Sequence, residues 1–274
     1  MKLALVQQHA TRDKADNVRR GLEAVDRAAA AGAQLVCFAE LAFEWFYPQR
    51  PADSTFRSPS ETLDGPIVKA FQAKAAEHGV VIILNFFERD GLETYDCSPV
   101  IDANGVVLGM TRMVHITDYA CFHEQGYYTP GDTGAPVYQT RVGRIGVAIC
   151  YDRHFPEYMR ALALDGADLV VVPQAGTVGE FPDGLYEAEM RVTALQNGYY
   201  VALCNRVGPE DVLTFSGESF VCGPFGEVIA RAPQGEDHIL YADVDFGASY
   251  LAPARKLYLR HRRPELYADW VARA

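Results

Sequence analysis

Short apolar runs and amphipathic segments alternate in the first third of the chain. Residues 16–31 and 66–76 carry apolar side chains at helical spacing, and the first of these segments ends near Gly32, a common helix stop. Three other runs are short and almost wholly apolar, as is typical of buried strands: KLALVQQ, QLVCFAE and VVIILNFFE. The pattern predicts the order β-α-β-α-β.

The pattern changes after Thr94, where paired strands begin. In SPVIDANGVVLGMTRMVHI two apolar runs flank Asn104-Gly105, a strong hairpin signal. Then follow a strand, a helix, a strand, a helix, a strand and a hairpin: GRIGVAIC, FPEYMRALALDGA, LVVVPQA, residues 185–196, YYVALCNRV and FSGESFVCGPFGEVIARA. We therefore expect mixed α/β sheets covered by helices, with functional residues at the strand ends.

Composition and charge narrow the possible partners. Hydrophobic residues make up 49% of the 274 residues and charged residues 22%, enough for a large core without disulfides or metals. No linker divides the chain, so we expect one domain over residues 1–274. The net charge of -11 repels phosphate backbones and anionic lipid surfaces. Nucleic acid and membranes are therefore poor partners, and a small molecule is the expected one.

The cysteines indicate a reducing environment. All six are scattered, without a CxxC pair, and most lie in apolar runs: Cys37, Cys97, Cys121, Cys150, Cys204 and Cys222. The amino terminus turns polar after Val6, too early for a secretory signal, and no apolar run approaches the roughly 20 residues that span a bilayer. We expect a cytoplasmic protein with free thiols.

Three residues are candidates for thiol chemistry. Cys150 closes an apolar strand just before a helix, where backbone N–H groups stabilise a thiolate or an oxyanion; the alternative is a buried structural thiol. Glu40 ends the strand QLVCFAE and is either a half-buried base or a loop carboxylate. Glu124 lies in the turn-rich loop HEQGYYTPGD, where a solvated acid is the default. The residues alone leave these alternatives open.

Four blocks together resemble the nitrilase superfamily of carbon–nitrogen hydrolases. They are the strand ending in Glu40, the loop HEQGYYTPGD, the nucleophile block GRIGVAICYDRHFPE and the segment EMRVTALQNGYYVALCNRVG. The resemblance implies an α-β-β-α sandwich that dimerises through helices to give an extended αββααββα layering. It also implies Glu40 as general base, Cys150 as nucleophile of a thioester-type intermediate, and the Tyr151 N–H as an oxyanion donor. It implies no cofactor and no metal.

One position departs from this family. The superfamily has lysine in an Arg-Lys-x-His motif, where this chain reads Arg112-Met113-Val114-His115. A thioether neither donates a hydrogen bond nor carries charge, and losing one oxyanion donor typically costs about 2.7–4 kcal/mol. Strand alternation puts His115 on the face of Met113 and Arg112 on the other, so His115 is one substitute.

Two further explanations of the missing lysine remain open. The loop DYACFHEQG supplies His123, or a protonated Glu124 acts as donor, since an acid without its cationic neighbour has a raised pKa. Alternatively, the chain keeps the fold and a ligand pocket without turnover. Cys121, His123 and His115 lie close in sequence but lack a fourth ligand at zinc spacing, so we do not expect a metal.

The nucleophile block also suggests a substrate. CYDRHFPE is similar to members that act on N-carbamoyl amino acids, including β-ureidopropionase-like enzymes. The Arg153 guanidinium is positioned to clamp a substrate carboxylate, or else pairs with Asp152, Glu157 or the tail. We expect a carboxylate-bearing ureido or amide substrate, such as an N-carbamoyl amino acid, or a small amide. The alternatives are an aliphatic amidase or nitrilase, and a non-catalytic binding protein. The basic and aromatic tail RKLYLRHRRPELYADW suits a subunit boundary in a homodimer or higher oligomer.

Overall fold

The computed structural model describes residues 1–53, 56 and 59–271. Two β-sheets contain most of the strands, and helices cover their outer faces. The helices are α1 (Lys14–Ala30), α2 (Pro66–His78), α3 (Pro156–Leu164), α4 (Leu185–Asn197), α5 (Phe246–Ser249) and α6 (Pro264–Val271). Shorter helical turns span Tyr47–Gln49, Glu124–Gly126, Cys150–His154 and Ala254–Tyr258.

The first sheet is formed by strands from both ends of the chain. Its strands are β1 (Lys2–Gln7), β2 (Leu35–Phe38), β3 (Val81–Ile83), β4 (Phe86–Asp90), β5 (Glu93–Ile101), β6 (Val107–Arg112) and β15 (His238–Asp243). They are ordered β15-β1-β2-β3-β5-β4, and β6 also pairs with β5. The β1, β2 and β3 strands run parallel, while the outer pairings are antiparallel. The carboxyl end of β2 therefore lies in the middle of this sheet.

The second sheet repeats this plan. Its strands are β7 (Val137–Thr140), β8 (Gly143–Val147), β9 (Leu169–Gln174), β10 (Tyr200–Asn205), β13 (Phe220–Cys222) and β14 (Val228–Arg231). They are ordered β14-β13-β10-β9-β8-β7, with β8, β9 and β10 parallel. A separate hairpin joins β11 (Val207–Glu210) to β12 (Leu213–Ser216).

Three apolar layers follow from strand alternation. Along β1, Leu3 and Leu5 face the second sheet, whereas Ala4 and Val6 face α1 and α2. The second sheet packs its outer face against α3 and α4 in the same way. The result is the α-β-β-α sandwich implied by the sequence, with the largest core between the two sheets.

Local signals fix the helix ends. The Asp13 side chain accepts a hydrogen bond of 3.0 Å from the Asp16 N–H at the start of α1. Pro66 occupies the first turn of α2, where its missing N–H costs nothing. Gly79 ends α2 with φ of 65°, a left-handed conformation that glycine adopts without strain.

Most predicted elements are present, and three details of the prediction were wrong. VVIILNFFE forms two strands, β3 and β4, because Asn85 turns its side chain inward between them. The second strand of the Asn104-Gly105 hairpin stops at Arg112, so strand alternation does not extend to His115. The β11–β12 hairpin and β15 were not predicted. No helix in the described part of the chain is long and apolar enough to cross a bilayer.

Candidate active site

Cys150 lies at a strained corner. Three residues after β8 ends, it opens the helical turn Cys150–His154 with φ of 41°, an unusual value for a residue other than glycine. Such strain is concentrated at functional sites. The thiol is 6% exposed, and within the described residues the Tyr151 N–H has no hydrogen-bond partner. This N–H, free in the first turn of a helix, is available to a bound oxygen.

Glu40 lies just past β2, on a turn held by Arg206. The Arg206 guanidinium donates a hydrogen bond of 2.9 Å to the Glu40 carbonyl and another to the Leu41 carbonyl. It also donates to the Glu44 carbonyl at 2.9 Å and pairs with Glu210. Arg206 and the Glu40 side chain are almost completely buried. The turn that carries the carboxyl group is thereby fixed from the opposite sheet.

The Glu40 carboxyl lies within hydrogen-bonding reach of the Cys150 thiol and the Asp96 carboxyl. Burial, together with the nearby Glu124 carboxyl, raises the pKa of Glu40 to about 8. Burial also raises the pKa of Cys150 well above its usual value, and the two glutamates raise it further. Both Glu40 and Cys150 therefore hold their protons at neutral pH unless a ligand changes their surroundings.

Asp96, which the sequence analysis overlooked, completes an acidic pair with Glu40. It lies on β5 between the sheets, and burial and Glu40 raise its pKa well above the usual value. Asn85 donates hydrogen bonds to the Asp96 carboxyl and to Ser98, and accepts one of 2.7 Å from the Leu41 N–H. Two carboxyl groups in contact share a proton. An Asp within a buried strand, in TYDCSPVIDANG, was the available signal.

Glu124 comes from the connection between the two sheets. It begins the helical turn Glu124–Gly126, and its buried carboxyl has a pKa raised by burial and then by Asp96. The nearby Tyr128 hydroxyl is also buried and, within the described residues, has no hydrogen-bond partner. Its pKa is raised by burial and by Asp96, Glu124 and Glu40. Tyr128 was not among the site residues predicted from the sequence.

Met113 lies in the same apolar cluster as Cys150 and is 1% exposed. Its N–H donates a hydrogen bond of 2.9 Å to the Asp96 carbonyl, and its carbonyl accepts one of 2.7 Å from Gly131. These two hydrogen bonds hold the Met113 backbone in place. The side chain at the position of the expected lysine supplies neither charge nor a donor to the three acids.

The predicted substitution by His115 does not fit this geometry. Because β6 has already ended, the His115 ring stacks on Phe155 with centroids 3.5 Å apart. Its Nδ1 lies 2.7 Å from the Asp152 carboxyl, which also accepts hydrogen bonds from the Val114 and His115 N–H groups. The imidazole therefore anchors Asp152 rather than replacing the lysine.

The other basic side chains near the loop also have acidic partners. The Nδ1 of His123 lies 3.1 Å from the Asp118 carboxyl, on a partly exposed edge. Arg112 is on the other side of β6, where its guanidinium pairs with Glu88 at 2.7 Å, as alternation predicts. Within the described part of the chain, Cys121, His115 and His123 do not form a group with metal-binding geometry.

Arg153 contacts the backbone of Cys150 and has a partner that was not among the alternatives predicted from the sequence. Its Nε lies 3.1 Å from the Glu189 carboxyl, and its Nη1 donates to the Cys150 carbonyl at 3.2 Å and to Gln174 at 3.1 Å. Its guanidinium also lies 4.7 Å from the Tyr186 ring centroid. Its Nη2 has no hydrogen-bond partner within the described residues, so a bidentate grip on a substrate carboxylate through Nε and Nη2 requires Glu189 to be displaced.

Polar and aromatic side chains surround Cys150 on its outer side. The Tyr119 hydroxyl donates a hydrogen bond of 2.6 Å to Glu180, and the Tyr186 hydroxyl donates to the same carboxylate. The half-buried Tyr151 ring packs edge-on against His154 and Phe155, each with centroids 5.4 Å apart. The predicted substrate contact at Tyr151 thus combines its free N–H with an aromatic wall.

Sequence comparisons show the family of the chain. The family description "Carbon-nitrogen hydrolase" matches residues 2–254. The chain is 35% identical to N-carbamoylputrescine amidase from Solanum tuberosum, covering 97% of this chain and 93% of that protein. It is 34% identical to citrullinase from Francisella tularensis, covering 99% and 98%.

Solved structures give the same result. A carbon-nitrogen hydrolase from Helicobacter pylori G27 superposes with a TM-score of 0.92 at 28% identity, covering 100% of this chain and 99% of that one. A mutant amidase from Nesterenkonia sp. AN1 superposes with a TM-score of 0.83 at 27% identity, covering 98% and 96%. In that structure the acetamide moiety of fluoroacetamide is covalently attached to the active-site cysteine.

Proposed function

Because the chain belongs to the carbon-nitrogen hydrolase family and is therefore an enzyme acting on non-peptide C–N bonds, we propose that Cys150 is its nucleophile. The observation that carries this proposal is the contact between the strained Cys150 and the buried Glu40 carboxyl. A thiol and a base in direct contact are the minimum for nucleophilic catalysis. Cys150 attacks the substrate carbon and Glu40 receives the thiol proton.

The remaining steps follow from the groups around Cys150. As the carbonyl carbon is attacked, its oxygen accepts a hydrogen bond from the free Tyr151 N–H. Protonated Glu124 is a second donor near the thiol, a role that its raised pKa permits. Glu40 then transfers its proton to the leaving nitrogen and activates the water that releases the acyl group from Cys150. No step needs a metal or an organic cofactor.

The substrate class is a ureido or small amide compound. Two of the relatives are named for ureido compounds, N-carbamoylputrescine and citrulline. A covalent adduct of an amide fragment in the Nesterenkonia amidase supports the amide alternative. The ion pair between Arg153 and Glu189 weakens the main reason for requiring a substrate carboxylate. The reacting ureido or amide group, rather than a distant carboxylate, therefore defines the substrate.

A catalytically inert binding protein is the second candidate. Met113 supplies no donor, and the pKa of Cys150 is raised, so neither feature by itself favours a thiolate. In this alternative the same site binds a small molecule without breaking a bond. The two candidates differ in whether ammonia is released and whether Cys150 is needed for it.

Ammonia release from matched ureido, amide and nitrile compounds tests the proposal. We expect turnover of the ureido or amide members by the intact enzyme, and a loss of at least about 100-fold in Cys150→Ala, which lacks the nucleophile. Cys121→Ser is the matched control, because Cys121 is the most exposed of the six free thiols. If Cys150→Ala and Cys121→Ser bind the ligand equally and neither releases ammonia, the result favours the inert binding protein.

We also propose a homodimer or higher homo-oligomer in the cytoplasm. Support for the oligomer comes from apolar side chains exposed on the C-terminal segment: Leu257, Tyr258, Leu266, Trp270 and Val271. A groove of about 650 Å³ lies between this segment and α3, lined by Arg160, Leu164, Tyr267 and Trp270 among others. Six unpaired cysteines support a reducing compartment.

A further inference from the structure

Asp96 and Glu40 form a contact between two carboxyl groups that few other donors reach. Asn85 donates a hydrogen bond to Oδ1 of Asp96, whereas Oδ2 accepts none of ordinary geometry within the described residues. Neither oxygen of the Glu40 carboxyl accepts one in that part of the chain. Buried carboxyl groups in contact are stable only when a proton lies between them. The contact is therefore an O–H···O hydrogen bond, and one of the two residues is its donor.

The surroundings of the two carboxyl groups make Asp96 the donor. Burial raises the pKa of both: to about 8 for Glu40, with a contribution from Glu124, and well above the usual value for Asp96. Arg206 and the Cys150 thiol favour the ionised form of Glu40. The hydrogen bond between the two acids also lowers the pKa of Glu40 and raises that of Asp96. Asp96 therefore keeps its proton at a pH where Glu40 loses its own.

Other ionisable groups near Asp96 are two acids and a phenol. Glu124 and Tyr128 belong to the connection between the sheets, and Asp152 lies in the helical turn that begins at Cys150. Each of them interacts electrostatically with Asp96. None of these three groups is a cation, so none of them favours the ionised form of Asp96.

Asp96 also lies beside the position that lacks a lysine. The β5 and β6 strands pair as far as Cys97 and Arg112, and the next two residues are Asp96 and Met113. The Met113 N–H donates a hydrogen bond of 2.9 Å to the Asp96 carbonyl. Both side chains point between the sheets, where Met113 packs in the apolar cluster and Asp96 contacts Glu40. An acid with a proton to donate is therefore the direct neighbour of the apolar side chain.

We propose that Asp96 is a positioning residue that supplies the donor which Met113 lacks: as a carboxylic acid it donates a hydrogen bond to Glu40 and stabilises the Glu40 carboxylate. This inference rests on the proposed function, because it uses the same nucleophile and the same base. A hydrogen bond to an ionised carboxylate is roughly twice as strong as one between neutral groups, and it favours the ionised form. Asp96 acts through Glu40 and does not touch the substrate.

The hydrogen bond of Asp96 follows the charge on Glu40 through the reaction. The Glu40 carboxylate takes the thiol proton as the Cys150 sulfur bonds to the amide carbon, and it passes this proton to the nitrogen, which leaves as ammonia. It then takes a proton from water, whose oxygen bonds to the same carbon, and returns it to the sulfur as the C–S bond breaks. The proton of Asp96 never leaves its oxygen. One amide and one water thus give one carboxylic acid and one ammonia molecule.

The pH dependence of turnover tests this role. The kcat/KM for ammonia release from N-carbamoylputrescine, citrulline and acetamide is measured between about pH 5 and pH 10. Without the donor Glu40 ionises less readily, so its pKa in this profile should move from about 8 to about 9 in Asp96→Ala, a loss of about tenfold at pH 7. The profile of Asp96→Asn, whose amide still donates, should lie between those of Asp96→Ala and the unaltered chain.

The direction of the change decides the role of Asp96. A lower Glu40 pKa in Asp96→Asn means that Asp96 is an anion, because the loss of a like charge favours ionisation. An unchanged profile means that Asp96 only fills space. Either result overturns the proposal and leaves the hydrolase function intact. Asp243→Asn, exposed on β15 of the same sheet, is the matched control and should not change the profile.

Met113→Lys tests whether the two positions share this role. An ammonium group beside Asp96 favours its ionised form, so Asp96 pairs with the new lysine and stops donating to Glu40. We therefore expect Asp96→Asn to lower kcat/KM at pH 7 in the unaltered chain but not in Met113→Lys. An equal loss in both chains contradicts the proposal, because the two positions are then independent.

Infrared spectroscopy tests the proton on Asp96 without a substrate. With aspartate carboxyls labelled with carbon-13, the C=O stretch of a protonated aspartate should persist at pH 8 in the unaltered chain and be lost in Asp96→Asn. In Glu40→Gln the same band should disappear at a lower pH, because the negative partner is gone, and this comparison holds if the Asp96 variants do not fold. Loss of the band below pH 7 in the unaltered chain overturns the proposal. If the band persists but no compound releases ammonia, the hydrolase function is wrong and Asp96 is still the donor to Glu40.

Discussion

The Glu40 carboxyl combines complete burial with contact to a thiol and a second carboxyl. Its pKa of about 8 means that the folded protein holds a proton at neutral pH that the unfolded chain releases. Folding stability therefore falls as pH rises from the unfolded value, near 4.5, to about 8. The residue proposed as the base is thus a cost to stability, as is common for active-site groups.

Glu40→Gln separates these two effects. The amide keeps the shape but cannot ionise, so we expect turnover to fall by about 100-fold or more. The free energy of unfolding should rise by about 4 kcal/mol at pH 8, and by less than about 0.5 kcal/mol at pH 4.5, where the unfolded carboxyl has released only half of its proton. Urea unfolding at both pH values measures this, with the exposed Glu157→Gln as control. An equal shift at the two pH values contradicts the assignment of the raised pKa.

At the scale of elements, the site depends on where parallel strands end. Glu40 follows the carboxyl end of β2, and Cys150 follows the carboxyl end of β8. Leu41 and Cys150 both have left-handed backbone conformations, with φ of 43° and 41°. Arg206, just after β10, binds the carbonyls of the turn that carries Glu40. A residue of the second sheet thus holds Glu40, the proposed base beside the first sheet, in place.

Arg206→Lys tests this clamp. An ammonium group cannot reach three carbonyls and the Glu210 carboxylate together, so the Glu40 turn loosens while the charge is kept. We expect kcat to fall by about 10- to 100-fold, because small displacements of a base are costly. Alkylation of Cys150 by iodoacetamide should change far less. Arg191→Lys, an exposed ion-pair residue, is the control, and an unchanged kcat for Arg206→Lys contradicts a positioning role.

At the scale of the molecule, the two sheets and the segment that joins them each contribute to the site. Glu40 and Asp96 come from the first sheet, Cys150 from the second, and Glu124 from the connection between them. The C-terminal segment lies away from these residues, on the outer face near α3. Its exposed apolar side chains have no role at Cys150, which is consistent with a separate role in assembly.

Trp270→Glu tests that role. Trp270 is 56% exposed at the groove beside α3, and a charge there opposes burial against a second subunit. We expect the intact chain to sediment as a dimer or larger and the variant to shift towards monomer at micromolar concentration. Leu92→Glu, at a fully exposed turn, should leave the mass unchanged. A monomeric intact chain contradicts the proposed oligomer.

The sequence by itself determined the features that depend on neighbouring residues. Apolar runs, helical spacing and the Asn104-Gly105 turn gave the element order, and the motif around Cys150 gave the family, because these signals are local. The sandwich implied by the resemblance is the observed fold. The assignment of Cys150, Glu40 and Glu124 to catalytic roles stays a prediction.

Only the tertiary structure decided which distant groups meet. The end of β6 at Arg112 turned His115 towards Asp152, the position of α4 gave Arg153 its partner Glu189, and β5 brought Asp96 against Glu40. These contacts join residues far apart in the chain, so no local pattern encodes them. The electrostatic character of the site, acidic and without a lysine, follows from that packing, because burial and proximity set the pKa values.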